Sequence, residues 1–416
     1  MAIKLLSQFL VILVVLVSLF VNNLVLASEQ YKDPIVIGMS AAFTGASKNL
    51  GLELYHGSMA YINKINQSGG INGHPLVIKA YDDGYNPLPA IENTVNLVEE
   101  DEVTVLFDYV GDPTVTKILP LLKKYEAKNI MLFFPFTGAQ SMRQVPYNQY
   151  VVNLRASYRE ETAGLVDHLL GIGHKRIAVF YQIDAYGRSG WDGVRKALEK
   201  YGLDIVAETT YRRGTEYNSS FNPQVQILQE ADPDAIISIG NYQACAGFIR
   251  DARDANWDIP IANVSLVGSE SLLKLLLETG RKTQRDYTQN LINSEILPSY
   301  EDLSLPAVKE YRNAINSYRG KSPITKENYT ESGYNYVSFE GFLNAKLMVE
   351  ILKRWTDFSD QDQLHEIVDH LNDFDLGIGV SLQFKHPEHQ GLHQVYYTTV
   401  SNNKFVPLKD WRKWSK

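Results

Sequence analysis

The 416 residues carry a formal charge of -8 with acidic and basic side chains interspersed, the pattern of a soluble surface, which argues against nucleic acid as a partner. A lone cysteine, Cys245, excludes an internal disulfide. Twenty-five tyrosines give a generous supply of amphipathic rings for packing and for a pocket.

Met1 to Ala27 reads as an export signal. Lys4 supplies a thin positive start, residues 9–21 are almost wholly apolar, and Ala27 places a small residue before Ser28. Asn22 and Asn23 interrupt the apolar run and no stop-transfer charges follow it, which disfavours a retained anchor. Cleavage after Ala27 leaves roughly 390 residues, enough for two domains.

Residues 35–39 suit a buried parallel strand, and Ser40 to Ser47 a loop at its C-terminal end, where open α/β sheets hold ligands. This loop surrounds Phe43 with Ser, Ala, Thr and Gly, without a nucleotide fingerprint or a carboxylate pair, so contact by hydroxyls and backbone amides is expected. A helix over 51–66 ends at Ser68-Gly69-Gly70. Strands over 76–79, 103–107 and 130–134 then alternate with helices over 89–99 and 114–124, which predicts a parallel sheet covered on both faces. The alternation restarts near Arg155. Helices are expected over 159–170, 191–201, 223–230 and 244–255, and strands over 177–181, 205–210, 235–239 and from 260. Beyond them, helices are expected over 272–278, 306–318, 334–353 and 363–371. Residues 286–295 show no clear pattern, and short strands are expected over 380–384, 394–400 and 405–408, with Asn402-Asn403 as a hairpin turn.

An ordered series of motifs resembles the type I periplasmic substrate-binding proteins of ABC transporters, the branched-chain amino-acid and amide-binding receptor group. It comprises Ile37-Gly38 with the loop to Gly45, Asn63-Lys64-Ile65-Asn66, Gly69-Gly70-Ile71-Asn72-Gly73, Tyr81-Asp82-Asp83 and Tyr186-Gly187. Residues 298–306 with Glu310-Tyr311-Arg312, then Ser338-Phe339-Glu340-Gly341-Phe342, His389-Gln390-Gly391-Leu392, Val395-Tyr396 and Lys404-Phe405-Val406-Pro407 complete it. The resemblance implies a type I periplasmic binding protein fold of two doubly wound parallel-sheet lobes with three interlobe crossings. Lobe one would comprise residues 31–154 with 281–352, and lobe two residues 155–280 with 353–416. Crossings are expected near Leu154, Gly280 and Lys353.

By position, the resemblance implies a ligand site of Phe43, Thr44, Tyr109, Val110, Gly111, Asp112, Thr137, Gly138, Tyr186, Tyr242 and Ser265. Donors at Thr137 and near Gly111 would hold a carboxylate or carbonyl oxygen, and Tyr186 and Tyr242 would wall the apolar part. Two departures weaken a leucine-like ligand. Asp108-Tyr109-Val110-Gly111-Asp112-Pro113 replaces a Ser/Thr-rich loop, and after Asn263-Val264-Ser265 no acidic residue comes before Glu270. Asp112 would substitute by bonding an amide or ammonium from the opposite side.

No nucleophile elbow, phosphate loop or zinc-protease motif is present. The adjacent Asp82 and Asp83 suit turn contacts better than acid–base work, and His386, His389 and His393 suit a structural turn better than a metal. The expectation is a non-enzymatic periplasmic receptor without cofactor, monomeric or weakly dimeric, that carries an amino acid, amide, urea-like compound or small carboxylate to an inner-membrane ABC permease. The alternative is a sensory module coupled to a membrane kinase or chemoreceptor. Tyr186→Ala is expected to weaken binding without unfolding the protein.

Overall fold

In the computed structural model, which describes residues 32–416 apart from 329–332, 359 and 385–388, the first apolar run is strand β1 (Ile35–Ala41). The expected export signal and His386 lie outside the described residues. β1 sits between β2 (Leu76–Asp82) and β3 (Val105–Phe107), and β4 (Leu132–Phe133) and β5 (Val151–Val152) complete a sheet in the order β2-β1-β3-β4-β5. All its pairings are parallel. Near-continuous burial along β1, β3, β4 and β5 is what a parallel sheet covered on both faces requires. Three helices follow its strands: α1 (Lys48–Gln67), α2 (Pro87–Glu99) and α3 (Asp112–Lys124). Proline in the first turn of α2 and α3 fixes φ where the backbone N–H needs no partner.

Helix α4 (Tyr158–Gly171), opened by a Ser157–Glu160 capping box, leads into the second sheet. Strands β6 (Ile177–Gln182), β7 (Glu208–Tyr211), β8 (Ala235–Ile239), β9 (Ile261–Asn263) and β10 (Leu291–Glu295) pair in parallel. An antiparallel hairpin of β11 (Tyr396–Ser401) and β12 (Lys404–Pro407) extends them to the order β12-β11-β10-β9-β8-β6-β7. Asn402 and Asn403 both take positive φ, 49° and 61°, as a two-residue hairpin turn demands. Helices α5 (Ala185–Glu199), α6 (Asn222–Glu230), α7 (Tyr242–Asp254) and α8 (Ser269–Thr283) accompany this sheet. Helices α9 (Pro306–Ser317) and α10 (Tyr336–Arg354) return to α1. There the backbones meet closely: a β-carbon on Gly57 would fall 1.8 Å from the Ser338 carbonyl oxygen, and one on Gly341 2.1 Å from that of Leu54. A short helix, α11 (Gln361–Asp369), follows α10.

The fold class agrees with the sequence reading; several boundaries do not. Residues 291–295, left without an element, form β10 inside the second sheet, so the boundary expected at Gly280 falls too early. The strand expected over 380–384 does not form. The crossing expected at Lys353 also comes later. Asn153 N–H donates to the His389 carbonyl, and Gly391 and Leu392 donate to the carbonyls of Asn153 and Leu154, all at 2.8 Å. The last passage into the second sheet thus runs beside the first.

Candidate functional site

The loops at the C-terminal ends of the two sheets face each other and touch. Asn49 Nδ2 donates to Ser271 Oγ at 3.2 Å, Asn241 Nδ2 to Ser47 Oγ at 3.1 Å and Arg213 Nη2 to Asn86 Oδ1 at 3.4 Å, each from one half to the other. At the centre of this interface the first half contributes Tyr85, Asp112 and Thr137, and the second Tyr158, Asp184, Tyr186 and Tyr211.

Gly111, with φ of 86°, ends the loop after β3 and lets α3 begin at Asp112. One Asp112 carboxylate oxygen accepts hydrogen bonds from Thr137 Oγ1 and, at 3.2 Å, from Tyr158 Oη. The other, Oδ2, is buried and has no partner. Tyr85, at φ 63°, is held by its N–H donating to Asp83 Oδ1 at 2.8 Å. Its ring lies so close to Gly111 that a β-carbon there would meet Cε2 at 2.1 Å. The Tyr85 hydroxyl is buried without a partner as well.

Across the interface, Asp184 caps α5 and accepts from Tyr186 N–H at 3.0 Å. Its second oxygen accepts from Gln182 Nε2 at 2.6 Å and lies 3.6 Å from Arg213 Nη1. The Tyr186 ring centroid is 5.3 Å from that of Tyr158, and its hydroxyl donates to the Gly240 carbonyl at 3.4 Å. Tyr211 Oη donates to Gln182 Oε1 at 3.2 Å and accepts from Asn241 N–H at 2.9 Å.

Burial pushes the Asp112 carboxyl up to about 7 and raises that of Asp184. The hydroxyls of Tyr85, Tyr158, Tyr186 and Tyr211 are pushed well above their ordinary range, also by burial, and stay protonated. Arg143, whose charge acts on Asp112, donates from Nε to Gln390 Oε1 at 2.6 Å, from Nη1 to the Ala139 carbonyl at 2.6 Å and from Nη2 to the Arg155 carbonyl at 2.9 Å.

Of the residues expected in the site, Gly111, Asp112, Thr137, Gly138 and Tyr186 come together; Gly138 is the surface on which Tyr158 packs. The others make contacts of their own. The Phe43 and Thr44 amides and the Thr44 hydroxyl all donate to Asp82, at 2.8, 3.2 and 2.5 Å, so this loop is tied to its own half. Tyr109 turns inward to Thr94 at 3.1 Å, and Val110 bridges to Phe136. Tyr242 Oη accepts from Asn49 N–H at 3.4 Å, a contact between the halves. Ser265 belongs to a buried cluster with Glu161 and Arg155. The donors expected to hold a carboxylate are spent as well: Gly111 N–H goes to the Phe136 carbonyl at 3.1 Å and Thr137 N–H to that of Pro135 at 2.8 Å. Sequence reading missed Tyr85, Tyr158, Asp184 and Tyr211. An Asp two residues before Tyr186-Gly187 is a helix-start signal that points to Asp184.

No partnered nucleophile is present here. Cys245 is buried, its thiol pushed up to about 12 by burial. Among the described residues no group of three or more His, Cys, Asp or Glu could hold a metal ion, and no helix is long and apolar enough to cross a membrane.

A family model described as periplasmic binding protein matches residues 34–404. An "Amino acid binding protein" of Pseudomonas aeruginosa is 24% identical over 242 residues, 58% of this chain and 62% of that protein. "Leu/Ile/Val-binding protein homolog 3" of Brucella melitensis is 26% identical over 239 residues, 57% of this chain and 62% of its own length. The chain thus spans less than two thirds of these curated relatives. Among solved structures, a possible leucine/isoleucine/valine-binding protein from Rhodopirellula baltica superposes with a TM-score of 0.80 at 28% identity, covering 92% of this chain and 98% of that one.

Proposed function

The chain belongs to the periplasmic binding protein family, and from that premise we propose that it is an exported receptor whose two lobes close over a small solute and present it to an inner-membrane ABC permease. One observation carries this reading: Asp112 Oδ2 and Tyr85 Oη are buried between the halves with no partner, a cost that a bound solute removes. The relatives named as amino-acid and Leu/Ile/Val binders support a solute of amino-acid size. Lobe one is the first sheet with α9 to α11, and lobe two is the second sheet with α4 to α8. Closure expels water and strengthens the polar contacts inside, so binding and closing are one event. The protein makes no covalent bond to its cargo.

A thermal-shift screen of amino acids, amides, urea, short carboxylates and amines tests the site. One class raises the unfolding midpoint, as a ligand of the native state alone must, and the Asp112→Asn/Tyr85→Phe double variant loses that response. An equal rise in the double variant would place the solute elsewhere. Deleting the gene abolishes uptake of the same solute.

A further inference from the structure

Resting on the receptor reading, we propose that the interlobe site selects a small cation rich in N–H donors and lacking a carboxylate, an ammonium, amidinium or guanidinium compound, bound directly by Asp112 Oδ2 and Tyr85 Oη. Four observations converge on it.

The two unmet atoms Asp112 Oδ2 and Tyr85 Oη can both accept a hydrogen bond. A carboxylate oxygen can only accept while ionised, and a phenolic oxygen accepts as readily as it donates. Both are at least nine-tenths buried, with Asp112 0% and Tyr85 2% exposed.

Two carboxyls lie beside these atoms. Asp112 and Asp184 act on each other, and each carboxyl is raised by burial. Arg143 is turned to Gln390, Ala139 and Arg155 by one bond from each of its nitrogens. Arg213 sits at the rim, shared between Asp184 and Asn86. An anion here meets the carboxyls of Asp112 and Asp184.

The donors that would hold a carboxylate are used within the protein. Gly111 and Thr137 amides bond the chain, Thr137 Oγ1 bonds Asp112, and the Phe43 and Thr44 amides bond Asp82. A zwitterionic amino acid would find its carboxylate short of donors, with the Tyr85 hydroxyl spare but those amides taken, and burying a charge so thinly bonded is costly.

The Tyr158 and Tyr186 rings lie 5.3 Å apart at this interface, and aromatic faces attract a desolvated cation.

Calorimetric titration of the purified exported protein with methylammonium, acetamidinium and guanidinium chlorides, against acetamide, urea, L-leucine and acetate, decides the matter. At least one cation binds and the neutral and carboxylate-bearing probes do not. Asp112→Asn weakens that cation about tenfold or more, and Tyr85→Phe weakens it less. The affinity rises as pH increases through about 7, where Asp112 ionises, in a setting of Asp184, Tyr85, Tyr158, Tyr211, Arg143 and Arg213. In Asp112→Asn the pH dependence is gone. Both variants unfold at midpoints close to the parent without ligand, which separates lost contact from lost fold. Binding of L-leucine, acetate, acetamide or urea that Tyr186→Phe or Tyr85→Phe weakens overturns the cation inference and leaves the receptor reading standing. Cation binding unchanged by Asp112→Asn, or no response to any probe, overturns the inference and counts against the interlobe site itself.

Discussion

Tyr186 has two duties that a single substitution cannot separate. It walls the interlobe face beside Tyr158, and it is fully buried in the core of its own half. Removing a packed aromatic ring costs about 3–5 kcal/mol, so Tyr186→Ala lowers stability as well as affinity. This departs from the expectation that Ala would leave the fold intact. Tyr186→Phe deletes only the 3.4 Å hydrogen bond to the Gly240 carbonyl, and its stability stays within about 1 kcal/mol of the parent. Urea unfolding of the two variants measures the difference. An Ala variant as stable as the parent would mean that the ring is loosely packed.

Among the elements, the crossing of α1 and α10 is set by two glycines that leave no room for a side chain. Gly57→Val drives new carbons into the backbone of Ser338, and overpacking of this kind costs about 1–3 kcal/mol or more. Gly171, at the end of α4, has nothing within 4 Å of the same position, so Gly171→Ala leaves stability unchanged or slightly raised. Chemical denaturation of the pair checks whether backbone approach or glycine content is responsible. Most helices and strands were legible because a sheet buried on both faces needs long apolar runs. β10 was not, since it carries Asn293, Ser294 and Glu295 into the interior, where Ser294 bonds Glu161 at 2.6 Å and Asn293 bonds Ser269 at 2.8 Å. α5 begins six residues before the helix expected over 191–201, at the helix-start signal that Asp184 supplies.

Across the whole molecule, the halves are joined beside a buried cation. Arg155 lies 4.0 Å from Glu161, 3.7 Å from Glu340 and 4.5 Å above the Phe136 ring. Burial pushes the Glu340 carboxyl up to about 7 against the pull of Arg155. A carboxyl raised above its unfolded value contributes stability that is complete below that value and is lost as pH climbs through the folded one. The unfolding midpoint therefore drops between about pH 5 and pH 8, and Glu340→Gln makes that drop shallower. Arg155→Met destabilises by about 3–5 kcal/mol, more at the higher pH, because it leaves carboxylates buried without a counter-charge. Scanning calorimetry across the pH range reads both effects. A drop as steep in Glu340→Gln as in the parent would assign the titration to other groups.

By itself the sequence determined two α/β sheets, their strands in near-correct places and the loops that face each other, since periodicity and turn residues act over a few positions. Tertiary structure decided which atoms in those loops are available. Tyr85, Asp112, Tyr158 and Asp184 come from four separate segments and meet only when the sheets close. Phe43, Thr44 and Tyr109 sit in the expected loops, yet their polar groups are taken by Asp82 and Thr94. Whether a buried donor or acceptor is satisfied depends on partners far along the chain, and no local pattern records that.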